Sequence, residues 1–315
     1  AYHRALTRLK LGEYAEGWKL HEARWNRRRA EPHRHPAVPL WDGGDPAGRT
    51  LLLWSEQGFG DTLQFVRYAP LAARRGARVI LEVQPALVSL LDGMEGVDKV
   101  VPVGGETGPV DLQAPLMSLP LAFATTQEDI PAAIPYLAPP ADRVGPWGRR
   151  LDATLPPGPR VGLVWAGDSR DHDVECMLID RRRSLALAQM GPVLDVPGAV
   201  FVSLQVGKQG PQAKDFPQVF DVTSGITDFA DTAALIHGLD LVISVDTSTA
   251  HLAAAMGKPV WLLSRFDGCW RWLAGRDDSP WYPTLRLYRQ PEAGDWETPV
   301  ARIAADLREW LKSRR

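Results

Sequence analysis

Hydrophobic positions fall into two regimes along the chain. Over residues 1–26 the apolar side chains keep helical company: Leu6, Leu9 and Leu11, then Gly12, then Tyr14, Trp18, Leu20 and Trp25. This pattern predicts two short helices hinged at Gly12. Arg27-Arg28-Arg29 and a Pro/His-rich stretch to Pro39 follow as a linker, its basic run a solvated surface. From Thr50 onward short aliphatic runs alternate with helical patterns. Strands are predicted over 51–54, 78–83, 99–103 and 110–112, with helical sequence over 63–69 and 85–91.

A second half repeats this grammar. Its predicted strands cover 160–165, 199–204, 219–222, 241–245, 260–263 and 285–288, with helices over 184–194, 228–237 and 247–256. Residues 118–158 are rich in Pro and Ala and read as connectors. A closing amphipathic helix over 300–312 puts Val300, Ile303, Ala304, Leu307 and Leu311 on one face. Strand–helix alternation implies parallel sheets covered by helices on both faces. Two doubly wound domains in tandem are expected to form a cleft between the carboxyl ends of their strands, where such sheets bind ligands.

Two strand-end turns carry candidate chemistry. Leu241 to Val245 breaks off at Asp246-Thr247-Ser248-Thr249 and passes into a helix that Gly257 and Pro259 stop. A turn of this kind aims backbone N–H groups and the positive end of a helix dipole above the strand, so anions, phosphate above all, are its expected guests. Asp246 and Thr247 as simple caps, and His251 as a packing residue, are the competing assignments. The second turn is Ser55-Glu56-Gln57-Gly58-Phe59-Gly60-Asp61, which matches neither a dinucleotide fingerprint nor a P-loop. Asp61 either caps a helix or, facing an anion site across the cleft, takes a proton from an attacking hydroxyl.

A magnitude adds a cation to the list. A helix terminus supplies up to about 2 kcal/mol, roughly thirtyfold in rate, which is little for expelling a diphosphate. A metal or side-chain cation must contribute, and of Arg181, Arg182 and Arg183 at the end of the loop after Trp165-Ala-Gly167, Arg183 is the first choice. Asp171-His172-Asp173 spells a metal-type Asp-x-Asp but has no further carboxylate or His cluster nearby, so no metal is expected. The loop from Phe266 through Trp270-Arg271-Trp272 to Trp281-Tyr282 suits a base or sugar stacked on a ring with Arg meeting phosphate, or ordinary loop packing.

Composition sets the outer limits. The chain has 315 residues, 45% of them hydrophobic, and a net charge of −2, which excludes the strong basic balance of a nucleic-acid binder. No apolar run approaches the roughly 20 residues of a membrane span. Cys176 and Cys269 form no disulfide or metal pattern, so a cytoplasmic setting is expected. The chain starts at Ala1 without Met, and a lone helical repeat cannot bury its own face, so an array cut away upstream is expected.

Together, Trp54 to Phe65 with its Gly60-Asp61 turn, Val164-Trp-Ala-Gly167, Ile243 to Leu252 with Asp246-Thr and His251-Leu, and Trp270-Arg-Trp to Pro283 resemble the bacterial tetratricopeptide-repeat glycosyltransferases. The catalytic part is similar to the lipopolysaccharide heptosyltransferases. Leu11-Gly-x-Tyr-Ala15 resembles the corner of a tetratricopeptide repeat. The resemblance implies an α/β GT-B fold: a repeat remnant and linker over 1–39, a Rossmann-like acceptor-side domain over 40–157, a Rossmann-like donor domain over 158–290, and the closing helix over 291–315. It implies metal-independent, inverting transfer from a nucleotide-diphosphate sugar, with no cofactor and with a protein or peptide among the acceptors. Asp61 matches the general base, with Glu56, Gln57, Gly58 and Gly60 in its loop. Asp246, Thr247, Ser248, Thr249 and His251 match the diphosphate site, and Arg183 stands near a phosphate-binding Lys. Trp165, Gly167, Trp270 and Arg271 join the donor set. A non-catalytic sugar-nucleotide-binding scaffold and an epimerase of the same fold are the rivals.

Overall fold

The structure, a computed structural model, describes residues 1–27, 33–167 and 174–314. Its contacts divide into two units, Ala1–Leu137 with Cys269–Gly275, and Ala138–Gly268 with Arg276–Arg315. Arg28, Arg29, Asp171, His172 and Asp173, all named above, lie outside the described residues.

Unit 1 opens with helices α1 (Tyr2–Lys10) and α2 (Tyr14–His21). Gly12 turns the chain between them at φ +81°, a left-handed conformation that only Gly adopts without strain. Gly17 lets the pair close up, since a Cβ there would lie 2.7 Å from Leu9 Cδ2. Then come β1 (Thr50–Trp54), α3 (Phe59–Phe65), α4 (Ala69–Arg74), β2 (Arg78–Val83), β3 (Lys99–Pro102) and β4 (Leu112–Pro115). The sheet is parallel throughout, in the order β3-β2-β1-β4. Strand order therefore reverses beside β1, and the segment leaving its carboxyl end runs from Glu56 into the first turn of α3 at Asp61.

A buried ion pair ties the helical pair to that segment. Arg24 donates from Nε and Nη2 to the two oxygens of Glu56 at 2.8 Å each, and Nη2 also reaches Ser118 Oγ at 2.6 Å. Both side chains are about 2% exposed. Close by, His21 is buried among Tyr2, Trp18 and Trp270. Burial, reinforced by the Arg24 and Arg271 charges, holds its pKa well below the usual 6.5. The native imidazole is then neutral, whereas in the unfolded chain it protonates near pH 6.5. Below that pH the unfolded state takes up a proton that the native state refuses, so stability falls as the solution is acidified. The slope is at most about 1.4 kcal/mol per pH unit. His21→Phe is expected to remove this part of the acid sensitivity, read as a smaller gap between urea midpoints at pH 7.5 and 5.5.

Unit 2 holds α5 (Ala141–Thr154), β5 (Arg160–Val164), α6 (Val174–Arg183), β6 (Val200–Ser203), β7 (Val219–Asp221), α7 (Phe229–His237), β8 (Leu241–Val245), α8 (Ser248–Ala255), β9 (Val260–Ser264), β10 (Leu285–Arg289) and α9 (Glu297–Lys312). Its parallel sheet runs β10-β9-β8-β5-β6-β7. Counted from β5 this is the Rossmann order, with the reversal between β5 and β8. The apolar face of α9 (Val300, Ile303, Ala304, Leu307, Leu311) packs into the same core as β5, β8 and Trp261.

Three elements depart from the sequence expectation. A ten-residue helix, α6, occupies the segment read as a polar loop. Glu, Met, Leu and Arg are strong helix formers, and its three arginines sit in the last turn, where cations complement the dipole. The connector region contains α5, despite Pro146 inside it. Asp231 fixes this helix on α7 by accepting from Arg143 Nη1 at 2.9 Å and Trp147 Nε1 at 3.0 Å. The helix thus clusters with unit 2, and the division between units falls at 137/138 instead of 157. Finally, the helix expected over 184–194 is two short turns, Leu187–Met190 and Gly191–Leu194.

Candidate functional site

In unit 2 the strand-order reversal brings two turns side by side. After β5 the chain passes through Trp165, Ala166 and Gly167, and the N–H groups of Trp165 and Ala166 both donate to Gln205 Oε1, at 3.1 and 2.9 Å. Gly167 N–H donates to Ser184 Oγ at 2.9 Å. Arg183 ends α6 at this point. Its Nη1 donates to the backbone oxygen of Asp246 at 3.0 Å and its Nε to Asp180 Oδ1 at 3.0 Å. The guanidinium therefore bridges the carboxyl ends of β5 and β8, the two strands at which the order reverses. Gly167 is required for this approach, since a Cβ there would collide with Asp180 Oδ1 and the Arg183 guanidinium.

The β8–α8 turn stands where the sequence put it. Asp246, Thr247, Ser248 and Thr249 are half-buried, and Thr247 is the N-cap in extended conformation. Its hydroxyl lies 3.1 Å from Ser244 Oγ and makes no cap bond, so the N-cap side chain leaves the first-turn N–H groups of α8 open. His251 supports the turn from within. It is 4% exposed, with Nδ1 2.9 Å from the Tyr282 hydroxyl and Nε2 4.0 Å from Asp246 Oδ1. An anion above this turn would meet aligned N–H groups and a fixed guanidinium.

In unit 1 Asp61 occupies the third position of α3, not the N-cap, which is Gly58. Asp61 Oδ2 accepts the Gly58 N–H at 2.9 Å, and Oδ1 is paired with Arg271 Nη2. Gln57, just before, has φ +60°, a left-handed conformation that a non-glycine residue holds only at a cost of order 1 kcal/mol or more. Glu56 is not part of an open loop surface: it is the buried partner of Arg24, and burial pushes its carboxyl up while the guanidinium pulls it down, with a net rise. Gly60 lies half-buried in the first turn of α3.

The aromatic loop is corrected by the structure. Trp270, Trp272, Trp281 and Tyr282 are 6%, 0%, 0% and 0% exposed, so none presents a free ring face for stacking. Trp270 is packed edge-on against Trp18 and stacked on Phe65 within unit 1. Arg271 joins it there, with Asp61 and Gln64 as partners. Trp165 also buries its ring in the core, and only its backbone reaches the turn. Gln205, Ser184 and Asp180, which hold Gly167 and Arg183, were not anticipated; their signal was a polar side chain at a strand end and two polar neighbours of Arg183. Among the described residues no group of three His, Cys, Asp or Glu side chains gathers as metal ligands.

Residues 211–263 match the model of Glycosyltransferase family 9 (heptosyltransferase). That stretch includes β7, α7, β8, α8 and most of β9. Protein FlbA of Caulobacter vibrioides is 30% identical over 99% of this chain, and the chain spans 55% of that relative's length. The fold resembles the E. coli ADP-heptose lps heptosyltransferase II, with TM-score 0.59 at 13% identity, over 84% of this chain and 99% of that one. It also resembles a glycosyl transferase family 9 structure from Veillonella parvula, with TM-score 0.60 at 8% identity, over 86% and 98% of the two chains.

Proposed function

We propose that the chain is a glycosyltransferase that moves a sugar from a nucleoside-diphosphate sugar to an acceptor hydroxyl, with inversion and without a metal ion. The observation that carries this reading is the Arg183 guanidinium fixed at the β5/β8 reversal beside the open N-terminus of α8. In the proposed reaction the acceptor oxygen attacks the anomeric carbon, its proton passes to Asp61, and the bond to the diphosphate breaks with the electron pair leaving on the diphosphate. The charge that grows there is met by the N–H groups of Ser248 and Thr249 and by Arg183. A charge-assisted hydrogen bond contributes about 1.5–3 kcal/mol, which together with the helix terminus gives a sizeable share of the stabilisation a departing diphosphate needs.

The acceptor side is assigned to unit 1, which carries Asp61 and the α1–α2 pair, and a protein or peptide acceptor in a cytoplasmic setting fits that assignment. Among the described residues no helix is long and apolar enough to cross a membrane. A thermal-shift panel of nucleoside mono- and diphosphates tests the donor site, with ADP-heptose as the first sugar nucleotide tried. A ligand at 100 times its Kd raises stability by about 2.7 kcal/mol. Arg183→Ala is expected to weaken diphosphate binding roughly ten- to hundredfold, in line with the loss of one charge-assisted bond. The absence of a shift with every nucleotide would overturn the reading, and isomerisation of the free donor with no acceptor present would favour the epimerase.

A further inference from the structure

We propose that Arg271 is a positioning residue that holds the Asp61 carboxylate in one orientation for proton transfer. The inference rests on the reading of Asp61 as the general base. Asp61 and Arg271 are 210 residues apart in sequence, and the pairing is made because Cys269–Gly275 clusters with unit 1 although the flanking strands β9 and β10 belong to unit 2.

The guanidinium is built in, not merely nearby. Arg271 is 9% exposed. Its Nε donates to Gln64 Oε1 at 2.7 Å, Nη1 to Cys269 Sγ at 3.1 Å, and Nη2 to Asp61 Oδ1. One planar group thus addresses three acceptors, two of them on consecutive turns of α3. Its carbon lies 4.4 Å from the centroid of the Trp270 ring, within cation–π range. Trp270 is in turn fixed by Trp18 and Phe65, and Ala274 N–H donates to the Lys10 carbonyl at 2.9 Å. The short turn Trp270–Trp272 is pinned at both ends, which fixes the backbone from which Arg271 reaches Asp61.

What this does to Asp61 follows from counting lone pairs. A carboxylate has about four acceptor sites. The Gly58 N–H takes one on Oδ2 and Arg271 takes one on Oδ1. Each oxygen keeps a further site, so Asp61 stays able to accept a proton from a hydroxyl while two donors from different parts of the chain prevent rotation about its Cβ–Cγ bond. A misplacement of even 1 Å can cost a hundredfold in rate. Lys in place of Arg271 would keep the charge but lose the fork that spans Asp61 and Gln64.

The test is steady-state hydrolysis of ADP-heptose, or of the sugar nucleotide that the ligand panel selects in its place, by the full chain, with water as the attacking hydroxyl and release of nucleoside diphosphate as the readout. Arg271→Ala is expected to lose about a hundredfold in kcat with the donor Kd within twofold of the parent. Added guanidinium, in the tens of millimolar and below denaturing levels, is expected to restore at least tenfold. Arg271→Lys, which keeps the packing if the alanine variant does not fold, is expected to lose about tenfold in kcat with KM unchanged. In an Asp61→Asn background, loss of Arg271 should cost no more than twofold, and guanidinium should restore nothing. The inference is overturned if Arg271→Lys turns over like the parent, if the loss appears in donor Kd, or if guanidinium rescue persists without Asp61. Full activity of Asp61→Asn alone is a different failure, since it removes the general-base reading itself.

Discussion

Asp61→Asn is expected to lower transfer by two to four orders of magnitude while leaving nucleoside diphosphate binding within about twofold. General-base catalysis by a positioned side chain contributes this range, and an amide cannot accept the proton. The substitution is nearly isosteric. An Asn oxygen can still accept the Gly58 N–H, or with the amide turned over, the Arg271 guanidinium, but its NH2 group then faces a donor at the other position. Some loss of stability accompanies the change for that reason, so the variant is compared at a temperature where both proteins are folded. The thermal shift with a nucleoside diphosphate provides the control, because the turn proposed to hold the donor, at Asp246, belongs to unit 2 and Asp61 to unit 1. Unchanged turnover would leave Asp61 as only the helix-capping, Arg-paired residue that the geometry also describes, and would favour the non-catalytic rival.

Much of the fold was legible because parallel strands buried on both faces announce themselves as aliphatic runs. Leu241 to Val245 is fully buried, and the switch to Asp246-Thr-Ser-Thr marks the strand end to within a residue. The two-helix opening was equally plain, since Gly12 breaks the pattern where φ must turn positive. Helices α5 and α6 were not, and for different reasons. Pro146 and two glycines dilute the helical signal in α5, which is held by Trp147 and Arg143 on Asp231, a tertiary contact across more than 80 residues. In α6 the signal is strong former residues and a favourable charge order without an amphipathic stripe, so a search for periodicity passes over it.

The site was legible only in part, for a similar reason. The need for a cation beside the helix terminus pointed to the run at 181–183, and the structure puts Arg183 against the Asp246 carbonyl. A loop rich in Trp and Arg, by contrast, has the same composition whether its rings face a ligand or a core. What decides between the two is the partner, and the partners of Trp270 and Arg271 are Trp18, Phe65, Gln64 and Asp61, all about 200 residues or more away in sequence. Local pattern holds no information about such a pairing.

Glu56→Ala is expected to destabilise the protein by about 3–5 kcal/mol, the usual cost of removing one member of a buried ion pair. The reason is the charge left behind. Arg24 would keep Glu22 and Ser118 as partners, at 2.6 Å each, but would lose both bonds of its bidentate contact in a site about 2% exposed. Its guanidinium cannot escape by losing a proton, because Arg stays charged at any accessible pH. Urea unfolding of the full chain measures the effect, and a double variant, Arg24→Met with Glu56→Leu, is expected to recover most of it because the fully buried charges are gone and Glu22, which loses Arg24, is 29% exposed and keeps Ser118 Oγ as a donor. A loss below about 1 kcal/mol for Glu56→Ala would show that Glu22 alone satisfies Arg24. The pair also bears on chemistry. Glu56 lies in the loop that leads into α3 and Asp61, while Arg24 follows the α1–α2 pair, so breaking it frees this segment at the end opposite Arg271. Turnover at a temperature where the variant is still folded should therefore fall, with nucleoside diphosphate affinity unchanged. Loss of affinity instead would show that the effect of Glu56 is not confined to unit 1.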